Sequence, residues 1–160
     1  MQKIIIGADH AGFALKEAVK SKMAASGWGV HDAGTFSDAS VDYPDFGGLV
    51  AGKVSTGEFE KGILVCGSGV GMAIVANKFP GIRAVLCLDE ETARMSRLHN
   101  NSNILVLAGR RTNEKEAMNI VNTWLETAFE GGRHQKRIDK IRQWEETIRL
   151  GKIGIQEEGL

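Results

Sequence analysis

The sequence predicts an α/β fold: a three-layer α/β/α sandwich around a five-stranded parallel sheet, with one extra helix at the C-terminal end. Three observations carry that expectation. Five short segments rich in Ile and Val are almost continuously apolar, as strands covered on both faces must be. Longer amphipathic stretches separate them, and repeated strand–helix–strand units close only into a parallel sheet with helices on both sides. The chain has 160 residues, 42% hydrophobic and 25% charged, which suits one soluble domain with a core of its own.

Taken in order, the first strand falls at 3–8 (KIIIGA) and a helix follows at about 12–25. The second strand is short, 29–32 (GVHD), with a helix at about 45–56. The third, 62–66 (GILVC), runs into a glycine-rich turn and a helix at about 70–78. The fourth, 83–87 (RAVLC), leads to a helix at 90–98, and the fifth, 103–107 (NILVL), to one at 114–129. After the Gly131-Gly132 break a last helix is expected from His134 to about Leu150, because Ile138, Ile141, Trp144 and Ile148 recur at roughly helical spacing. With no strand after it, that helix packs either on its own sheet or on a neighbouring domain or subunit. Residues 1–150 form the expected domain and 151–160 a tail with little pattern.

Twenty basic residues balance twenty acidic ones, so no overall field favours nucleic acid or a membrane. An anionic ligand must therefore be held by a local cluster. Two cysteines make no disulfide framework, no apolar run nears the roughly 20 residues of a membrane span, and the N-terminus lacks signal-peptide character. A cytoplasmic setting is expected.

In open parallel sheets, ligands bind beyond the carboxyl ends of the strands. Those ends carry Asp9-His10, then Cys66-Gly67-Ser68-Gly69-Val70-Gly71, then Arg110-Arg111. The glycines let the backbone turn with positive φ and aim N–H groups at a ligand oxygen, and a helix start adds partial positive charge. This suits a phosphate or an enediolate, although a bare strand–helix turn remains open. A dinucleotide fingerprint belongs at the first strand, and no Gly-Lys-Ser/Thr of a phosphate-binding P-loop is present. Cys66 precedes the turn, where a thiol can act as base or nucleophile or can sit idle as a small hydrophobe. Cys87 has only the second reading. Asp9-His10 could hold a hydroxyl or phosphate, or Asp9 could cap a helix. His99 and Asn100 close a helix, where a cation and a cap are equally at home. Arg133 and Arg137 lie four apart, share one helix face, and with Arg110 could clamp a phosphate; a solvated basic face is the alternative. No histidine–carboxylate spacing resembles a metal site.

The motifs Gly7-Ala8-Asp9-His10-Ala11-Gly12, Asp42-Tyr43-Pro44, 62–72 (GILVCGSGVGM), Ala76-Asn77-Lys78 and Glu130-Gly131-Gly132-Arg133-His134-Gln135 occur together in consistent order from Met1 to about Trp144. In this the chain resembles the ribose-5-phosphate isomerase B family of sugar-phosphate isomerases (RpiB/LacAB). The resemblance implies a homodimer or dimer of dimers, active sites between subunits, a sugar-phosphate substrate, and no metal or cofactor. It implies Cys66 as the base moving a proton between C1 and C2, and His99 as the residue assisting ring opening. By the same resemblance, the N–H groups of Gly67, Ser68, Gly69, Val70 and Gly71 hold the enediolate, with Ser68 near the oxygen that exchanges its proton. Asp9, His10, Asn100 and Arg110 bind substrate, and Arg133 and Arg137 anchor its phosphate.

Some members carry a glutamate base in the helix after this loop. Position 75 here is Val75, so the chain resembles the cysteine-base branch. Ser68 stands where many members have threonine, and the hydroxyl is kept. The implied reaction interconverts D-ribose 5-phosphate and D-ribulose 5-phosphate. Alternatives are another substrate (allose 6-phosphate, galactose 6-phosphate or a tetrulose phosphate), a non-catalytic sugar-phosphate-binding module, or a nucleotide-binding flavodoxin-like domain.

Overall fold

A computed structural model describes residues 2–153. Five parallel strands, β1 (Lys3–Ala8), β2 (Gly29–Asp32), β3 (Gly62–Cys66), β4 (Ala84–Leu86) and β5 (Ile104–Ala108), form one sheet in the order β2-β1-β3-β5-β4. Helices α1 (Phe13–Ala25), α2 (Tyr43–Ser55), α3 (Val70–Ala76), α4 (Glu90–Asn100) and α5 (Glu114–Glu126) follow the strands in turn, and α6 (Arg133–Arg149) closes the described chain. The predicted sandwich and its extra helix are present. Of the expected tail, residues 154–160 lie outside the described part.

Successive strand residues point to opposite faces, and that alternation sorts the apolar runs into two cores. Ile4, Ile6, Ile63, Val65, Leu105 and Leu107 pack with α1, α4 and α5 around the fully buried Trp124. Ile5, Leu64, Cys66, Ile104 and Val106 pack under α2 and α3, against Val50, Val54 and Met72. Both faces of the central strands are therefore dry, which is why these runs carry no polar alternation.

Boundaries differ from the sequence reading by a few residues, each for a local reason. The edge strand β4 has one partner, and only Ala84–Leu86 pair with it. α2 starts at Tyr43, with Pro44 in its first turn, where a missing N–H costs nothing. α4 runs on to Asn100 because the left-handed residue that ends it is Asn101, at φ 46°. α5 stops at Glu126, where Thr127 turns extended and offers its carbonyl to Arg97 Nε.

Two features of this frame position the site. Each crossover helix returns from the carboxyl edge of the sheet to the amino edge, and α4, at 11 residues, spans about 16 Å. Asp9, Cys66 and Arg110 thus lie at one edge. His99 lies at the other, beside the strand starts, where Asn103 N–H donates to the Arg83 carbonyl. The second feature is the segment between β2 and α2, which runs beside β1: Ala8 N–H donates to Gly34 O at 2.7 Å and Thr35 N–H to Ala8 O at 2.8 Å. Its root is the Asp32 carboxylate, which accepts from Gly34 N–H, from Lys16 Nζ at 2.7 and 2.8 Å and from Lys20 Nζ at 2.6 Å. Burial works to raise the Asp32 carboxyl, but the lysine and Gly34 hydrogen bonds outweigh it and hold it below the usual range. The Lys16 side chain has no exposed surface, and this carboxylate together with Glu17 Oε1 at 2.8 Å makes its burial tolerable.

Candidate active site

The turn after β3 forms as its glycines require. Gly69 sits at φ +79°, and a Cβ there would run into Leu86, so only glycine fits. This conformation brings Gly69 N–H to 3.2 Å from Cys66 Sγ, at a thiol only 4% exposed. Ser68 is exposed, and its Oγ accepts from Val70 N–H at 3.3 Å. α3 has only seven residues, so the turn's own N–H groups, more than a helix dipole, are what this loop offers an anion. Cys87 behaves as the inert case: burial pushes its thiol up to about 12.

Neighbouring elements flank the turn on two sides. Arg110 lies across Gly67, with its guanidinium carbon 3.3 Å from where a Cβ would be, and its own N–H donates to Gly67 O at 3.0 Å. The Tyr43 ring covers Gly71, where a Cβ would come within 2.7 Å of it. Gly109 N–H donates to Cys66 O, tying the ends of β3 and β5 together. Asp9 is 7% exposed, and its Oδ1 accepts Gly12 N–H at 2.9 Å while its N–H donates to Val65 O. It therefore holds the approach to α1 beside the cysteine loop. His10 Nδ1 lies 3.2 Å from both the carbonyl and the N–H of Val41, so either tautomer finds a partner there. Cys66, residues 67–71, Asp9, His10 and Arg110 thus form one group at the carboxyl edge.

The other predicted residues form a second group at the amino edge. His99 and Asn100 end α4, and Glu130 N–H donates to Leu98 O, bringing the start of α6 beside them. Two guanidinium groups secure this helix end. Arg83 donates to the carbonyls of Asn100 and Asn101, and Arg97 to Asn101 Oδ1 and Ser102 O. Arg133 and Arg137 are exposed on the first turns of α6. The two groups sit at opposite edges of one sheet, so the expected clamp of Arg110 with Arg133 and Arg137 does not form within one chain. The reason is topological: Arg110 follows β5 directly, whereas α5, about 20 Å long at 13 residues, carries the chain back before Arg133.

Sequence reasoning missed two residues here, Tyr43 and His134. Tyr43 stood in a quoted motif without a task; the signal was an aromatic placed just before the prolyl start of a helix. His134 stacks on His99 with ring centroids 4.2 Å apart and planes 13° from parallel. With Glu130, these histidines place three possible ligand atoms within 4.8 Å of one another. The trio does not fit a metal centre. Parallel rings hold their lone pairs side by side instead of converging, and Arg133 Nε lies 3.4 Å from His134 Nε2.

A sequence profile described as Ribose/Galactose Isomerase matches residues 4–141. The chain belongs to that family. Among members of the ribose/galactose isomerase family, the ribose-5-phosphate isomerase B of Escherichia coli is 45% identical over 141 residues, 88% of this chain and 95% of that protein. The crystal structure of a ribose 5-phosphate isomerase from Thermotoga maritima is 51% identical, with a TM-score of 0.87 over 89% of this chain and 98% of that one. The ribose-5-phosphate isomerase B of Mycoplasma genitalium, crystallised with bound ribulose-5-phosphate, is 43% identical, with a TM-score of 0.86 over 90% and 96% of the two chains. Among the described residues, no helix is long and apolar enough to cross a membrane.

Proposed function

We propose that this member of the family interconverts D-ribose 5-phosphate and D-ribulose 5-phosphate, with Cys66 as the base, in a cytoplasmic setting. The observation that carries the reading is the Cys66 sulfur, held against Gly69 N–H at 3.2 Å in the glycine turn that follows it. The Cys66 thiolate takes the proton from C2 of the open aldose, and the C2–H electrons form the enediolate. The thiol returns that proton to C1 to give the ketose. Ser68 relays the proton between O1 and O2, and the N–H groups of residues 67–71 hold the oxygen charge, each donor being worth on the order of 3 kcal/mol in such a step. His99 opens the furanose ring, while Asp9, His10, Asn100 and Arg110 bind the sugar. The domain at work is residues 1–150.

With the base at one edge of the sheet and His99, Arg133 and Arg137 at the other, a single copy cannot close around one pentose phosphate. The working unit is therefore a homodimer, or a dimer of dimers, in which each site takes its cysteine loop from one copy and its α4–α6 corner from the next. α6 supports this. It buries His134 and Ile138 but leaves Ile141, Trp144 and Ile148 exposed at 44%, 50% and 58%, an apolar stripe continuing the line of Arg137.

Two measurements test the reading. Comparing kcat/KM for ribose 5-phosphate with that for allose 6-phosphate and galactose 6-phosphate should favour the pentose by at least about tenfold. A tenfold preference for a six-carbon sugar contradicts the ribose assignment, and no turnover with any of them favours a binding module. Arg137→Ala should raise KM about tenfold with kcat within about twofold, since the arginine grips the phosphate equally before and during reaction. A pure loss of kcat removes Arg137 from that role.

A further inference from the structure

His134 has no task in the mechanism above, yet its surroundings are the most constrained of any histidine in the chain. Its side chain is buried, at 2% exposure for the residue, in the first turn of α6. One face lies flat on His99, at 4.2 Å between centroids. Its Nε2 accepts from Arg133 Nε at 3.4 Å, and Glu130 Oε1 lies 3.8 Å from the same nitrogen. A guanidinium has only donors, so this contact places the imidazole proton on Nδ1 and the lone pair on Nε2.

We propose that His134 is a positioning residue that sets two working groups at once: it fixes the ring plane of His99 by stacking, and it takes the Nε–H of Arg133 so that the two terminal guanidinium nitrogens face outward for phosphate. The inference rests on the roles of His99 and Arg133 proposed above. Arginine has a long side chain with much rotamer freedom, so anchoring Nε preorganises the fork that matches phosphate oxygens. A stacked partner limits the rotation of His99, whose nitrogen must meet the ring oxygen of the sugar. The arginine contact needs a neutral His134, because a protonated Nε2 cannot accept. The groups facing it are His99 from α4, Glu130 from the connection before α6, and Arg133 and Arg137 from α6. Burial lowers the His134 imidazole first, His99 and the two arginines add to it, and Glu130 alone opposes them, so the ring stays neutral at neutral pH.

Steady-state kinetics of the full chain with ribose 5-phosphate separate the two tasks. His134→Phe keeps a flat ring against His99 and removes the acceptor, and should raise KM at least fivefold with kcat within twofold. His134→Gln keeps an acceptor near Nε2 and removes the ring; kcat should fall at least fivefold with KM within twofold. Arg133→Met should raise KM by more than either, and adding His134→Phe to it should change KM no further, because both changes act through one guanidinium. The inference is overturned if the two KM effects multiply, if His134→Phe leaves KM unchanged, or if Gln and Phe alter KM alike. A thermal melt of each variant reports folding, and should Phe prevent it, the Gln variant still decides. Unchanged KM in Arg133→Met overturns the phosphate role itself, and the inference with it; raised KM there with a silent His134→Phe overturns the inference alone.

Discussion

Cys66→Ala should lower kcat for ribose 5-phosphate by about 10³-fold while KM stays within a few-fold, because a positioned base contributes on the order of 10²–10⁴ in rate and little to ground-state binding. Nothing else in the loop can take the role. Ser68 has a hydroxyl but no acceptable basicity, and Val75, one helical turn into α3, is an apolar packing residue: a Cβ on Gly47 of α2 would run into it. The substitution should leave the fold nearly intact. Cys66 belongs to the core under α2 and α3, and removing one sulfur from it costs about 1 kcal/mol, a fall of roughly 2–4 °C in Tm. Stopped assays of kcat and KM beside a thermal melt check both halves. Activity within tenfold of the parent removes Cys66 from the base role, whereas loss of activity with loss of fold returns it to packing.

Gly12→Ala should be a severely damaging change for a single methyl. A Cβ at Gly12 would collide with the Val65 carbonyl, standing 2.6 Å from its carbon and 3.0 Å from Cys66 N, and both are backbone atoms that cannot swing aside. The start of α1 must therefore move away from the end of β3. We expect a loss of about 3 kcal/mol, or about 6–12 °C in Tm. Gly12 N–H also holds Asp9 Oδ1 at 2.9 Å, so the shift displaces Asp9 from the cysteine loop. A misplacement near 1 Å can cost about 10²-fold in rate, and kcat/KM at 25 °C should fall by about that much. The contrast is Gly52→Ala. Gly52 lies inside α2, and its Cβ would meet only Phe79 at 3.6 Å, an ordinary contact. There the better helix propensity of alanine should raise stability by about 0.5–1 kcal/mol. Similar Tm changes in the two variants would contradict the close packing of α1 on β3.

The fold was legible because its signals are local. Ile4-Ile5-Ile6 or Ile104-Leu105-Val106-Leu107 can only be a strand with both faces buried, and parallel order follows from the intervening helices. Strand order follows less directly, since nothing in the short apolar run of β4 marks it as an edge. The carboxyl-edge group was legible for the same reason: Asp9, Cys66 and Arg110 each stand at or just past the carboxyl end of a strand. What sequence could not carry were contacts between distant elements. Tyr43 over Gly71 and His134 on His99 depend on how α2 meets α3 and how α6 meets α4. Likewise, Arg133 and Arg137 read as partners of Arg110 until the direction of α5 put the breadth of the sheet between them.

That separation is the centre of the account, since the proposed function has each site shared by two copies. Co-expressing a Cys66→Ala chain with a His99→Asn chain tests it directly. Each variant alone spoils every site it forms and should be nearly inactive. Random pairing makes half the dimers mixed, and each mixed dimer has one site with both lesions and one with neither, so about a quarter of the parent activity should return. Activity no higher than that of the two variants assayed separately would mean that one chain supplies both groups to its own site, and would contradict the shared site.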